Sequence, residues 1–500
     1  MSIGKPVKSF SHFQEKILDI CELSFYNRFS TLGYRVLKTK TPNRADGLQG
    51  AERAEGVERR MEKGLVTVIG AGLAGCEAAH YLARHGFSVR LYDCKPNKFT
   101  PAHSSKNLAE LVCSNSLKSG DVWGNACGLL KEEMRLLGSL VMEAADATKV
   151  PAGGALAVDR EAFSAYITEK IRSNPNIEYI PEEVKELPQG YAIVATGPLT
   201  LDALAEDIRA KLGGALHFYD AAAPIVSAES IDYSKTFTAD RYGKGEGDYV
   251  NCPMNKEEYE AFVDALVSAE RAVAHEFEKG EIFEGCMPVE VMAARGRDTL
   301  RFGMLKPVGL YDENGKRPYA VLQLRKENAA GTAYNLVGFQ TNLKFPEQKR
   351  VFSMIPALKN AEFLRYGVMH RNTYLDSPKI LNADLSLKAD GTVFFAGQMT
   401  GVEGYVESAD SGILAAMNCA LKMRGHAPAA WDCGTVSGAL AHHVCAETDN
   451  FQPMNANYGI LSPLGLNVRD KALKKRMLAE RALEKVRENA ADAEDKLRAE

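Results

Sequence analysis

Two cysteines and a run of glycines are the residues of this chain whose surroundings point to chemistry. Cys113 lies in ELVCSNSLKS (Glu110 to Ser119), among small hydroxyl and amide side chains, with no second cysteine at metal-ligand spacing and no apolar face to fill. Cys252 lies in GDYVNCPMNKEEYEAF, directly before Pro253 and just ahead of a helical pattern. Proline fixes φ and withdraws a backbone donor, and free amides at a loop–helix junction favour a thiolate. A thiolate is a strong nucleophile, and a second thiol near it can carry a proton. Each cysteine taken alone also fits the role of a small buried filler. Cys76, Cys94 and Cys419 stand in apolar or helical settings and read as core. Cys433 and Cys445 with His442 and His443 lack a recognised metal-ligand spacing.

The glycine run is Gly70, Ala71, Gly72, Leu73, Ala74 and Gly75, between an apolar run and a helical pattern. Gly70 permits a tight turn, Gly72 lets the backbone approach a pyrophosphate, and Gly75 allows close helix–strand packing, while the helix N-terminus offers its amides to the phosphates. Asp93 closes the next strand, where a carboxylate accepts from ribose hydroxyls. A bare glycine fingerprint is weak evidence; flanking strand, helix and distal acid make it specific for a dinucleotide. The segment IVATGP (Ile193 to Pro198) resembles the strand-end turn of FAD-dependent two-dinucleotide-fold proteins. FFAGQMTGVEGYVESADSGILAAMNCAL resembles their carboxy-terminal segment, in which Gly397, Gln398 and Gly401 form a second turn toward the flavin. The helix that follows would lend its positive end to a reduced flavin. YGKGEGD (Tyr242 to Asp248) lacks the strand and helix that a second fingerprint needs.

These groups require a scaffold, and the text from Leu65 reads βαβ. LVTVIGAGLAGCEAAHYLARHGFSVRLYD gives a buried strand, a turn, a helix and a second strand, and short strands recur at YAIVATG and GTVFFAGQ. The fold class expected is α/β: a Rossmann-type, two-dinucleotide-fold, FAD-binding domain with an inserted α+β domain. Its expected parts are 61–222 and 345–467 for the FAD domain, 223–344 for the insertion, and 468–500 for a charged, solvated tail helix. Residues 1–60 hold 11 Lys/Arg and 7 Asp/Glu without a sustained period. They read as a non-core extension, with Met61 a candidate start; an RNA-binding or targeting arm is the rival reading. A 45% hydrophobic, 25% charged chain of net charge −4 is ordinary globular composition, not a coat for nucleic acid by bulk charge. No run approaches 18 apolar residues, so no membrane span is expected. Ten scattered cysteines imply free thiols in a reducing cytoplasm.

Long stretches of the chain closely resemble the TrmFO family, the folate- and FAD-dependent tRNA (uracil-5-)-methyltransferases related to MnmG and GidA. They include TPAHSSKNLAELVCSNSLKS, PAGGALAVDREAF, DYVNCPM, GCMPVEVMAARGRDTLRFG, YNLVGFQTNLKFPEQKRVF and FFAGQMTGVEGYVESA, and the likeness runs from about Leu65 to about Val486. The resemblance implies FAD-mediated transfer of a one-carbon unit from 5,10-methylenetetrahydrofolate to uridine C5, at position 54 of the tRNA T loop, with NAD(P)H as reductant. It carries Cys113 and Cys252 over as the functional pair. One would add to uracil C6 and make C5 nucleophilic, and the other would take the C5 proton; which does which stays open. Arg295, Arg297, Arg301, Lys344, Lys349, Arg350, His370 and Arg371 are candidate phosphate contacts, and Phe345, Tyr366 and Tyr374 candidate stacking rings. No obligate protein partner is expected. The alternatives are the same chemistry on ribosomal RNA, an MnmG-like modification of the wobble uridine, and a non-catalytic flavin-containing RNA binder. Asp93 stands where the family commonly has Glu, and Met304-Leu305 where it often has Pro-Met.

Overall fold

The computed structural model describes residues 64–498, except 101, 214, 222, 244, 273–286, 313, 430 and 449–450, and for 215–221 and 369–373 it gives the backbone alone. The extension read over 1–60, and the side chains of His370 and Arg371, lie outside the described residues.

The first domain is built on a five-stranded parallel sheet in the order Val393–Phe395, Ala192–Val194, Leu65–Ile69, Ser88–Tyr92, Ile177–Ile180. Its central strands bury both faces: Val66, Val68, Ile193, Val194, Phe394 and Phe395 are all inaccessible, which is why their sequences are unbroken apolar runs rather than alternating ones. Two helices cover the centre of the sheet, Leu73–Arg84 and Tyr405–Met423. They cross at Gly412, where a Cβ would lie 2.2 Å from the Ala74 carbonyl oxygen. The carboxy-terminal helix Lys471–Arg498 was expected to be solvated. Instead Leu478, Ala479, Ala482, Leu483, Val486, Ala493 and Leu497 form a buried stripe against Ala126–Leu136 and Tyr405–Met423. The charges that dominate its composition occupy the other face.

The inserted domain is a six-stranded antiparallel sheet, ordered Phe237–Thr238, Val250–Met254, Ala320–Lys326, Ala333–Leu336, Ile225–Ser227, Phe363–Arg365. It extends past the expected boundary at residue 344. The helix Phe345–Phe352 turns Val351 and Phe352 into the same core as Val226, Leu322 and Leu336, and its charges lie on the outer side. The chain leaves the first domain along Ala215–Ala221 and returns along Met369–Leu375, and these two crossings pair as an antiparallel ribbon. A third, small sheet joins Ser116–Ser119, Ala155–Val158 and Lys149–Val150 and leads directly out of the Cys113 segment.

Candidate active site

A crevice opens at the carboxyl ends of the parallel strands, where open α/β sheets bind ligands. It encloses about 1160 Å³, its solvent-open part included, and its wall contains Gly70, Ala71, Gly72, Leu73, Ala74, Asp93, Gly397, Gln398 and Tyr405. Gly70 has φ +97°, and a Cβ there would meet the Ala195 carbonyl oxygen at 2.6 Å. At Gly75 a Cβ would lie 1.7 Å from the Gly70 carbonyl oxygen, so this glycine serves helix–turn packing. Gly72 differs: a Cβ would meet no protein atom within 4 Å, because that position faces the crevice itself.

The helix Leu73–Arg84 begins at Gly72 with no side chain capping it, and Tyr405–Met423 begins at Gly404 likewise uncapped. Two sets of free amides therefore meet at one crevice, an arrangement that suits phosphate and a developing negative charge. Asp93 accepts from the Ala71 amide at 2.7 Å and the Lys95 amide at 2.8 Å, holding the glycine turn to the second strand. Each carboxylate oxygen retains a lone pair for a ribose hydroxyl. Gly397 donates its amide to Ser411 Oγ at 2.7 Å, and Gln398 Nε2 donates to Glu403 Oε2 at 2.6 Å. Gly401 is not on the wall. Its φ of +93° and a Cβ that would strike the Phe451 ring at 2.3 Å give it a packing role against the returning chain. The residues present fit a dinucleotide such as FAD: open space at Gly72, two uncapped helix ends and an acid at the strand end.

Cys113 follows Val112, a wall residue, and is partly exposed. Its backbone N–H donates to the Tyr405 hydroxyl at 2.6 Å, and that of Ser114 to the same oxygen at 3.2 Å. Tyr405 is partly buried, and desolvation pushes its phenol up from the ordinary value.

Cys252 is placed elsewhere. It pairs with Leu322 in the middle of the antiparallel sheet and is 0% exposed in the insertion's apolar core. Side chains alternate across a strand, so Cys252 and Leu322 share the core face, whereas Asn251, Gln323 and Arg325 share the other. The Arg325 face is the one that reaches the Cys113 segment, through Ser114 Oγ at 2.8 Å. The expected loop–helix junction is a strand, in which Pro253 pairs with Val321, and the helix Lys256–Val267 has its amides capped by Asn255 in a capping box. Burial pushes the Cys252 thiol up. The expected convergence of Cys113 and Cys252 at one pyrimidine is thus not what the fold builds.

Several residues that frame the site were not singled out in the sequence. Tyr405 stands inside the quoted GYVES stretch, but nothing local distinguishes it from a core tyrosine. Arg325 and Asn115 come together across 210 positions, and no local pattern signals that. Among the candidate phosphate contacts, Arg297 pairs with Asp264 at 2.8 Å, Arg301 with Asp298 at 2.7 Å, Lys344 with Glu270 at 2.7 Å and Arg350 with Glu347 at 2.6 Å. Such surface pairs are weak, and a phosphate can compete for them. Phe345 is 51% exposed and stacks on Tyr366 at 4.8 Å, which stacks on Phe363 at 5.4 Å; Tyr374 is buried. Among the described residues no group of three His, Cys, Asp or Glu could hold a metal, and no helix is long and apolar enough to cross a membrane.

The parallel sheet, glycine turn and returning carboxy-terminal helix define a dinucleotide-binding protein of the two-domain flavoprotein type. Residues 65–427 match the family described as Glucose inhibited division protein A. A GidA structure from Aquifex aeolicus superposes with TM-score 0.63 at 16% identity, covering 86% of this chain and 75% of that one, a likeness of fold. Sequence relatives are nearer. The Methylenetetrahydrofolate--tRNA-(uracil-5-)-methyltransferase TrmFO of Acetivibrio thermocellus is 58% identical over 427 residues, 85% of this chain and 98% of its own length. Its Geobacter sulfurreducens namesake is 59% identical over 424 residues, 84% of this chain and 97% of its own length. The chain belongs to the TrmFO family.

Proposed function

We propose that this chain transfers a one-carbon unit from 5,10-methylenetetrahydrofolate to C5 of a uridine in tRNA, position 54 of the T loop, as a cytoplasmic enzyme using FAD and NAD(P)H. The observation that carries the reading is Cys113 at the lip of a dinucleotide crevice, in a chain that spans nearly the whole length of relatives named for this reaction.

Uracil C5 is a poor nucleophile until C6 is attacked. The Cys113 thiolate adds at C6, forming an S–C6 bond and shifting the C5–C6 electron pair toward C5 as an enolate. C5 then bonds to the one-carbon unit as that carbon's bond to one folate nitrogen breaks; a base removes the C5 proton as the bond to the other nitrogen breaks, leaving an exocyclic methylene, and hydride arriving at that methylene restores the C5–C6 double bond and expels the sulfur. FAD, when bound, supplies the electron-pair transfer that takes the carbon from the methylene to the methyl level, with NAD(P)H as the source. Gly70 to Ala74 and Asp93 would hold its dinucleotide part, and the uncapped end of Tyr405–Met423 would face developing negative charge. A stacked uracil exposes neither face to a thiol, so the base must leave the helix, as single-stranded RNA loops permit.

With Cys252 in the core, the C5 proton goes to another group. Of the cysteines within the family-matched span, Cys286 alone lies outside the described residues, so its alanine variant belongs in the test. Protein loaded with FAD, an unmodified tRNA transcript, methylenetetrahydrofolate and NADPH should yield 5-methyluridine, mapped to the T loop. Cys113→Ala should yield none. Product at the normal rate from Cys113→Ala, or modification of ribosomal RNA alone, overturns the reading.

A further inference from the structure

The carboxy-terminal helix Lys471–Arg498 carries its charge unevenly. Asp470 caps its first amides, accepting from Ala472 at 2.8 Å and from Leu473 at 3.1 Å. Beyond that cap come Lys471, Lys474, Lys475 and Arg476, and no acidic residue stands before Glu480. Cations in the first turn oppose the helix dipole, so Lys471 and Lys474 weaken the helix that bears them. Both are exposed, and among the described residues neither ammonium pairs with an acid. Folding gives no reason for the cluster.

The other end of the helix fixes where this basic end lies. Glu494 Oε1 is 3.0 Å from His85 Nε2 and 3.5 Å from Arg84 Nη2, at the close of the helix Leu73–Arg84. That helix starts on the crevice wall and runs 12 residues away from it, about 18 Å. Arg84 also donates to the Leu137 carbonyl, at the close of Ala126–Leu136. Lys475 donates to the Gly124 carbonyl at 2.9 Å, just ahead of that same helix. The tail helix, 28 residues and about 42 Å long, therefore runs in the same direction as the other two. Its basic end comes out on the crevice side of the domain.

Trp123 stands beside that end and is 46% exposed. Its loop is held in place: the Tyr458 hydroxyl donates to the Trp123 carbonyl at 3.2 Å, and the Trp123 amide donates to Asp121 Oδ1 at 3.1 Å. The Arg476 guanidinium lies 5.6 Å from the indole centroid. The loop leads out of the strand Ser116–Ser119, which follows the segment at the crevice lip. Tyr458's own segment returns to the crevice end, where the Ala456 amide donates to Glu407 at 3.0 Å, in the first turn of Tyr405–Met423. A large ring exposed on a fixed loop can stack on an unpaired base while neighbouring cations meet phosphates.

We propose that Trp123 and the basic start of the tail helix form a second RNA contact outside the crevice, taking sugar–phosphate backbone and one unstacked base of the tRNA. The occupant is RNA and not a second copy of this chain. Cations surround the exposed ring, two of them without an acidic partner, and a two-fold interface would set those like charges against each other. The proposal rests on the reading of the substrate as tRNA, and on no assignment of the thiols.

The test measures binding of an unmodified tRNA transcript to full-length, FAD-loaded protein across a salt series, with methylation kinetics beside it. Lys471→Ala combined with Lys474→Ala should weaken binding roughly tenfold or more. The slope of log affinity against log salt should become shallower by about 1.4 to 1.8, as two lost phosphate contacts require. Trp123→Ala should weaken binding at least about fivefold with the slope unchanged, and Trp123→Phe should recover most of it, because any flat ring stacks. These losses should appear in KM for tRNA, with kcat within about twofold of the parent. Lys496→Ala, at the other end of the same helix, should bind like the parent, and flavin content and melting temperature report the folding of each variant. Parent-like affinity in either the lysine pair or Trp123→Ala overturns the proposal. So does a parent dimer that Trp123→Ala splits with tRNA affinity unchanged, which gives the face to a second copy. A parent that binds no tRNA overturns the reading of the substrate together with the proposal, and does so before any variant is compared.

Discussion

The Tyr405 hydroxyl accepts the backbone N–H of Cys113 at 2.6 Å, so the first residue of the helix that closes the flavin-type domain also fixes the proposed nucleophile. The same oxygen takes the Ser114 N–H, and all three residues are partly buried. Tyr405→Phe keeps the ring and leaves two amides without this acceptor. Leaving a fully buried donor unpaired costs about 1–3 kcal/mol, and for these partly buried amides the cost falls near the lower end, about 1 kcal/mol. Chemical denaturation of Tyr405→Phe should show a loss of that size, together with slower methylation at near-normal RNA affinity. Unchanged stability and rate would mean that water replaces the hydroxyl and that the contact does not set the loop.

Cys252 gives the opposite expectation. Its thiol is sealed against Leu322 and the insertion core, where a small apolar group serves as well. Cys252→Ala should retain methylation within about twofold and lose roughly 1–2 kcal/mol of stability through the small cavity. Cys252→Ser should lose more, because it buries a hydroxyl. A Cys252→Ala protein that folds and binds FAD but forms no 5-methyluridine would return Cys252 to the chemistry.

Much of the fold was legible because its signals are local. The apolar run before Gly70, the glycine spacing and Asp93 all fall within one βαβ unit, and each one depends on near neighbours. The crevice was legible for the same reason, save Gly401, whose turn geometry serves Phe451 instead. What the sequence could not carry is facing. VNCPM reads equally as a loop with a helix after it or as a strand, and only the pairing with Ala320–Lys326 decides that Cys252 faces the core. The boundary at residue 344 was misplaced because NLKFPEQKRVF advertises its charges, whereas Val351 and Phe352 alone reveal the buried side. Arg325 was invisible for want of any local sign that its partner is Asn115.

Buried carboxyls make stability fall with rising pH. Glu77 accepts from the Leu140 and Val141 amides and from Ser139, and Glu133 accepts from the Val436 and Ser437 amides. Each acts as a helix cap from a fully buried position. Burial raises both from 4.5 to about 7, against the opposing pull of those hydrogen bonds, and it raises Asp410 beside Ser437 well above the ordinary range. A carboxyl that holds its proton more tightly when folded binds more protons in the folded state between its two pKa values, so unfolding free energy declines as pH rises there. For Glu77 and Glu133 that window runs from about 4.5 to about 7. Melting temperature should decline across it, and Glu77→Gln or Glu133→Gln should flatten part of the slope while lowering stability overall through a poorer cap. A slope of the same steepness in both variants would place the proton uptake elsewhere.

Gly72 separates cofactor binding from folding. Its φ is −76°, which alanine adopts freely, and a Cβ there would meet no protein atom within 4 Å. Gly72→Ala should therefore fold and melt like the parent when both are stripped of flavin. The added methyl projects into the space where a pyrophosphate would approach the backbone, so FAD affinity should fall roughly tenfold or more, about 1.4 kcal/mol. Gly412→Ala is the contrasting case, since its Cβ would lie 2.2 Å from the Ala74 carbonyl oxygen and would push the two central helices apart with or without ligand. Titrating FAD by flavin fluorescence, beside melts of the stripped proteins, checks both. Normal FAD affinity in Gly72→Ala would mean that the dinucleotide lies away from the fingerprint turn, and the assignment of the crevice would fall with it.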